Sequence, residues 1–364
     1  MSNEVVQNLD GTATIDATKA KLIGKRKLFS LPQWAVAWIV LIPALIFLTL
    51  FMLYPIINTF LFAFIQDFTY VPGAGSFALG QYVADISVTG QSTFGFGNFA
   101  TALGNEYFIH SIRNTAELVI IEVPLTIIVS LLIATFLNSI KVLRGFYQTI
   151  FFLPYVTNSI ALGLVFNIVF KNGDGGLMNI FLKNVFGVSP INWLEEAGGG
   201  VAAASRFHQG VVIVIYSIWN GIAFKILVFM SGLATIDKQY YDAAKIDGAS
   251  SFTIWRRITI PLLSPQILYI TITSFIGSFK MYTGVMAVYP NSGAYYFGPT
   301  SASSAVSENG TEWIPVVGWI YKYLKDPATA DKPGVASAAS LILLGIIMLI
   351  TIVQFAVSKK RVHY

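Results

Sequence analysis

Three ionisable residues stand inside apolar runs: Glu122 in VIIEVPLTIIV, Lys225 in IAFKILVFM and Lys280 in FIGSFKMY. An unpaired charge deep in such a run costs about 2.5–3.5 kcal/mol on membrane-insertion scales. Each of the three must therefore find an opposite charge, line a wet cavity or serve a transport step. Other reactive chemistry is sparse. The chain has no cysteine, so disulfides, thiolate metal sites and cysteine nucleophiles are excluded. Its three histidines, His110, His208 and His363, are too scattered to make a metal cluster. No nucleophile–base spacing and no GxxxxGK[ST] phosphate loop occurs, so the chain reads as neither an enzyme nor a cofactor binder. The glycine clusters at 173–176 and 198–200 read as loop punctuation.

A second group is polar and aromatic. Trp219 and Asn220 fall in the middle of one apolar run, and Tyr155 and Asn158 follow Pro154 in another. Saccharides bind through hydrogen bonds and through aromatic faces laid against their C–H surfaces, which these residue types supply. The same types also pack helices against each other. Both readings stand on the sequence alone.

These residues need helices to hold them. Of 364 residues, 55% are hydrophobic and 11% charged, against roughly 25% charged in a typical soluble domain. Mean hydropathy is +0.67. Crossing about 30 Å of hydrocarbon takes roughly 20 apolar residues. Six runs qualify: 34–65, 114–138, 147–170, 209–233, 263–288 and 335–358. The first has a candidate turn after Pro55. The expected fold is an all-α, polytopic membrane domain over 34–358, in the lipid bilayer. Residues 1–33 read as a disordered tail without a cleavable leader, and 359–364 as a short second tail.

Charge sets the orientation. The segments 1–33, 139–146, 234–262 and 359–364 hold 14 Lys and Arg in 76 residues, whereas 66–113, 171–208 and 289–334 hold 7 in 132. The positive-inside bias puts the first set, with both termini, in the cytoplasm. Bases clustered at the ends of apolar runs explain the net charge of +5 without nucleic acid. On these boundaries Glu122 and Lys280 each lie eight residues from the outer end of a span, roughly 12 Å deep, with Lys225 at another level. The expectation is that Glu122 and Lys280 face the protein interior and are paired directly or through substrate or water.

One charged tract interrupts the apolar pattern. In YYDAAKIDGASSFTIWRRITIPLL, residues 240–263, Asp237 can cap a first helix and Gly248 can end it. Ser250 can cap a second, along which Phe252, Trp255 and Ile258 form a ridge, and Pro261 restarts the chain into the next span. Such a tract suits a connector resting on headgroups or a knob for another protein. The spacing Asp242-Ala243-Ala244, Gly248, Ile258-x-Ile260-Pro261 resembles the EAA loop of binding-protein-dependent ABC importer permeases. Asp242 stands where that family usually has Glu, and Ile260 where it usually has Leu. FFLPYVTNSIALGLVFNIVF, SIWNGIAFKILVFMSGL, SFIGSFKMY and the terminal VHY resemble its carbohydrate branch, the maltose, glycerol-phosphate and multiple-sugar permeases.

The resemblance implies a type I importer permease fold in the bacterial plasma membrane. Residues 234–262 would then be the coupling loop, with Asp242, Ala243, Ala244, Gly248, Ile258 and Pro261 facing or supporting a cytoplasmic ATPase dimer. It also implies a second related permease subunit, an extracytoplasmic solute-binding protein and a sugar substrate. The long loops 66–113 and 289–334, with Tyr295, Tyr296, Phe297 and Trp313, are candidates for contacting the binding protein. The competing class is a secondary transporter or channel that uses the buried charges without an ATPase.

Overall fold

The computed structural model describes residues 32–66, 94–140, 144–194, 206–289, 313–325 and 333–358. Almost all of both tails lies outside these residues, as do Tyr295, Tyr296 and Phe297. The chain divides into two compact units, Met1–Asn58 and Thr59–Tyr364. Regular structure among the described residues is helical, with a single isolated β-bridge between Ile65 and Phe94.

In the first unit, α1 (Gln33–Leu48) leads through a π-turn (Thr49–Leu53) into α2 (Tyr54–Phe64), which ends in the second unit. None of its residues from Trp34 to Asn58 is buried. The turn considered after Pro55 does not form, because the helix runs on to Phe64. Proline lacks an N–H and its ring crowds the carbonyl four residues back. The wider π-turn just before Pro55 relieves both problems.

The second unit is built around α4 (Glu106–Ser139) and α8 (Arg206–Thr235), its most extensive helix pair. Asn105 caps α4, accepting from the Phe108 N–H at 3.1 Å. Inside α4 the hydroxyls of Thr115, Thr126, Ser130 and Thr135 each donate to the carbonyl four residues back, at 2.5–2.8 Å. They need no outside partner in apolar surroundings. Helix α3 (Gly97–Leu103) packs on α14 (Pro333–Ser358), which also meets α11 (Ser264–Phe279) and α13 (Val316–Lys325). The amide of Asn98 on α3 bonds the end of α2 through the Ile65 carbonyl at 2.8 Å.

Two expected rods are broken. The run 147–170 is two helices, α5 (Arg144–Val156) and α6 (Ser159–Val169), bent by 100°. Asn158 adopts an extended backbone, and its side chain accepts from the Ile160 N–H at 2.8 Å, starting a new helix instead of continuing the old one. The run 263–288 stops at Phe279 and resumes as α12 (Thr283–Val288). Among the described residues, four unbroken helices are long and apolar enough to cross a membrane, or six if α5 with α6 and Ser251–Leu262 with α11 each count as one bent span.

Helix α7 (Leu177–Phe186) lies in the connection between α6 and α8. There Asn179 accepts from the Trp193 indole at 2.8 Å and donates to the carbonyls of Gly173 and Ile191, both at 2.9 Å.

Helix α12 is held against α6 at very close range. A Cβ on Gly163 would lie 2.3 Å from the Ala287 Cβ and 2.9 Å from its backbone carbon. Gly163→Val should therefore force the two helices apart and cost about 1–3 kcal/mol. The loss would appear as a lower melting temperature of the detergent-purified protein; an unchanged value would contradict the close approach.

Candidate functional site

Helices α4, α5, α8, α11 and α12 surround a cavity of about 600 Å³. Its wall includes Glu122 from α4 and Tyr155, Thr157 and Ser159 from the α5–α6 break. Helix α8 adds Tyr216, Ser217, Asn220, Phe224 and Lys225, and the α11–α12 region adds Ser274, Ser278, Lys280, Tyr282 and Gly284. Broken helices explain the polarity. Where α5 and α11 end, backbone and short hydroxyl side chains face the space in place of an apolar helix surface.

Five of the residues singled out from sequence therefore share one space: Glu122, Tyr155, Asn220, Lys225 and Lys280. The other two do not line it. Asn158 is spent capping α6, and Trp219 is 40% exposed on another face of α8. Tyr216, Ser217 and Tyr282 were missed. The first two had a legible signal, since 216, 217, 220 and 224 recur at helical spacing around Asn220. Tyr155 also stacks on Phe224, ring centroids 6.0 Å apart, joining α5 to α8 beside the cavity.

Glu122 and Lys280 line the same cavity, and no ion pair within 4.0 Å joins them. Glu122 is buried, receives a hydrogen bond from Ser278 and interacts electrostatically with Lys225. Lys225 also donates to the Gly221 carbonyl at 3.2 Å. Lys280 is not buried; it is exposed on the cavity wall. The helix bounds differ from those of the apolar runs. Helix α4 begins at Glu106, so Glu122 lies sixteen residues in, not eight. Lys280 sits past the end of α11, where a rise of 1.5 Å per residue no longer applies.

The second candidate site is a helical hairpin, α9 (Lys238–Ile246) and α10 (Ser251–Leu262, containing a π-turn at Trp255–Thr259). Asp237 caps α9 through the Gln239 N–H at 3.0 Å, and Ser250 caps α10 through the Thr253 N–H at 3.3 Å. Gly248, at φ +72°, turns the chain between them while its N–H donates to the Lys245 carbonyl. Pro261 does not restart the chain as expected. It lies within α10, accommodated by the preceding π-turn, and the bend of 66° comes at Leu263.

One side of the hairpin is anchored. The Trp255 indole donates to Thr135 of α4 at 3.2 Å, and Tyr241 meets Thr259 at 3.3 Å. Ile236, Trp255 and Ile260 pack into a core with Leu131, Phe229, Leu233 and Leu263. Ala244 is buried and Ile258 half-buried. The other side is open: Tyr240, Asp242, Ala243, Ile246 and Phe252 are exposed, Ile246 at 87%. The arrangement is a knob of mixed charged and apolar side chains fixed to the central helices.

At the opposite end of α8, Arg206 forms an ion pair with Glu117 and lies 4.3 Å from the Trp313 ring centroid. The Trp313 indole donates to the Arg206 carbonyl at 2.7 Å. This cluster ties segment 313–325 to α4 and α8.

A family model described as "Binding-protein-dependent transport system inner membrane component" matches residues 123–363, which include the hairpin and nearly all of the cavity. The chain is 28% identical over 350 residues to the arabinooligosaccharides transport system permease protein of Bacillus subtilis (strain 168), covering 96% of each. It is 26% identical over 325 residues to the lactose transport system permease protein of Rhizobium radiobacter, covering 89% of this chain and 94% of the relative. A chain of a bacterial ABC transporter involved in import of the acidic polysaccharide alginate shares the fold, with a TM-score of 0.64 at 19% identity over 89% of this chain and 95% of that one.

The charge arrangement makes a quantitative expectation. Glu122→Gln or Lys225→Met alone should each cost about 1 kcal/mol or more of stability, because each removes one member of an interacting pair of interior charges. The double variant should cost clearly less than the sum, whereas Glu122→Gln and Lys280→Gln should add. Denaturation of the purified single and double variants measures both cycles. Additive losses for Glu122 and Lys225 would contradict the pairing.

Proposed function

Because the chain belongs to the family of binding-protein-dependent transport system inner membrane components, we propose that it forms one half of a carbohydrate pathway whose opening is driven through the α9–α10 hairpin. As a member it is the multi-pass permease subunit of an ABC importer in the bacterial plasma membrane. It works with a second permease, an extracytoplasmic binding protein and a cytoplasmic ATPase dimer. ATP hydrolysis resides in that ATPase, and this chain is not itself an enzyme.

One observation carries the reading: the hairpin is capped at both helices, bonded to α4 on its inner side and bare on its outer side. A loop that only rested on lipid headgroups would need no such anchorage to the core. Asp242, Ala243, Gly248, Ile246 and Phe252 form the docking surface in this reading, while Ala244, Ile258 and Pro261 hold its shape. Closure of the ATPase dimer pushes the knob, and the indole bond and the packed core pass that push to α4 and α8. In this reading the chain crosses the membrane six times with both termini cytoplasmic, the orientation that the Lys and Arg bias favours.

The cavity is the proposed sugar path, with Tyr155 and Asn220 as contacts. Its ring faces and hydroxyls suit saccharides. Several relatives are sugar permeases by name, the arabinooligosaccharide and lactose proteins among them. Asn158 and Trp219 act here through helix capping and packing rather than by touching sugar.

The test is reconstitution of the complete importer in proteoliposomes. Saccharide uptake should require ATP, the ATPase and the loaded binding protein. Solute movement by the permeases alone would contradict the coupling mechanism. Within this assay Gly248→Pro should lower uptake at least about tenfold with the protein still inserted. Proline cannot adopt a positive φ and removes the N–H that closes the turn. Asp242→Lys reverses a charge on the docking surface and should weaken co-purification of the ATPase. Near-normal uptake and co-purification in both variants would overturn the role of the hairpin.

A further inference from the structure

The charges on the cavity wall do not cancel. One carboxylate, Glu122, shares this wall with two cations, Lys225 and Lys280, and of the two Lys280 is the exposed one. It stands at the end of α11, exposed to the cavity, and among the described residues no carboxylate lies within 4.0 Å of it. The carbonyl end of α11 steadies an ammonium there without neutralising it. An ionisable side chain at such a position is functional by default, and its counter-charge has to be sought. Its cavity neighbours Tyr155, Tyr282, Ser217 and Asn220 offer ring faces and hydrogen-bonding groups. None of those four carries a negative charge.

Resting on the reading of this cavity as the sugar path, we propose that the carried saccharide bears an anionic group, a carboxylate or a phosphate, which pairs with the Lys280 ammonium as the sugar passes. The ring faces of Tyr155 and Tyr282 and the polar groups of Ser217 and Asn220 engage the neutral part of the sugar. A lysine suits this task because its compact, mobile charge follows a moving partner and does not demand a fixed two-point geometry. The pairing also removes the lone charge from the wall while substrate is present, so the cavity and its cargo neutralise each other.

The experiment measures uptake by the complete importer, with its binding protein unchanged, from three panels of labelled probes. These are neutral oligosaccharides, uronic-acid oligosaccharides and sugar phosphates. The wild type should take up one anionic panel in preference to the neutral one, and which panel is favoured distinguishes carboxylate from phosphate. Lys280→Gln should cut that uptake by about tenfold or more, the range lost with a charge-assisted hydrogen bond. Lys280→Arg should restore most of it. The amount of assembled complex in the membrane is measured alongside, and should Lys280→Gln fail to assemble, wild-type selectivity and Lys280→Arg decide. Preference for neutral saccharides, or anionic uptake that Lys280→Gln leaves intact, overturns the anionic proposal and leaves the sugar path standing. If no saccharide is taken up, the sugar reading falls and the proposal with it.

Discussion

A backbone among apolar side chains and lipid has no water to bond, so each N–H and C=O must find its partner within the protein. That constraint orders the rest of this molecule. It makes the regular structure of the described residues helical and turns the hydroxyls of α4 back onto their own helix. At the breaks a side chain or a backbone turn supplies the partner. Asn158 supplies one at the α5–α6 bend, Asp237 and Ser250 supply others at the hairpin, and π-turns absorb Pro55 and Pro261. Helices end only where a side chain or a turn can take over the orphaned groups. Those ends, in α5 and α11, are where the cavity opens.

Charge obeys the same economy. Glu122 is retained in the interior beside Lys225 and Ser278, and Lys225 also bonds a backbone carbonyl. Such a pair contributes little net stability, because desolvation offsets most of the attraction, yet losing one member is costly. Its presence in an otherwise apolar helix pair therefore points to a role in defining the cavity and its state. The hairpin lies beyond the opposite end of α8 from the Arg206–Glu117–Trp313 cluster, so the two tie points bracket the central helices.

Local chemistry was legible in the sequence. Asp237, Gly248 and Ser250 announced a capped helix, a turn and a second cap because the signals lie within three residues of the groups they satisfy. The apolar runs announced the helices for the same reason. Pairings across more than a hundred residues were not legible: Trp255 with Thr135, Asn114 with Ile314, Asn167 with Val288. A direct Glu122–Lys280 ion pair does not form, and residue counting could not decide it, because hydropathy marks the apolar part of a helix and not its true start and the count assumes no break. Pro261 misled for a related reason. Its missing N–H fits a helix start or a π-turn equally well, and only the packing of α10 against α4 and α11 decides between them.

The central claim is that the hairpin moves as one body with α4, so that force applied outside the membrane domain reaches the cavity. The chain has no cysteine, so spin labels can be placed by Phe136→Cys on α4 and Lys238→Cys on the hairpin, both exposed positions. Electron–electron double resonance on the assembled importer, nucleotide-free and ATP-bound, measures the distance between them. The account predicts one narrow distance that is the same in both states. A distance that shifts or broadens when ATP binds would show the hairpin flexing against α4 and would contradict it.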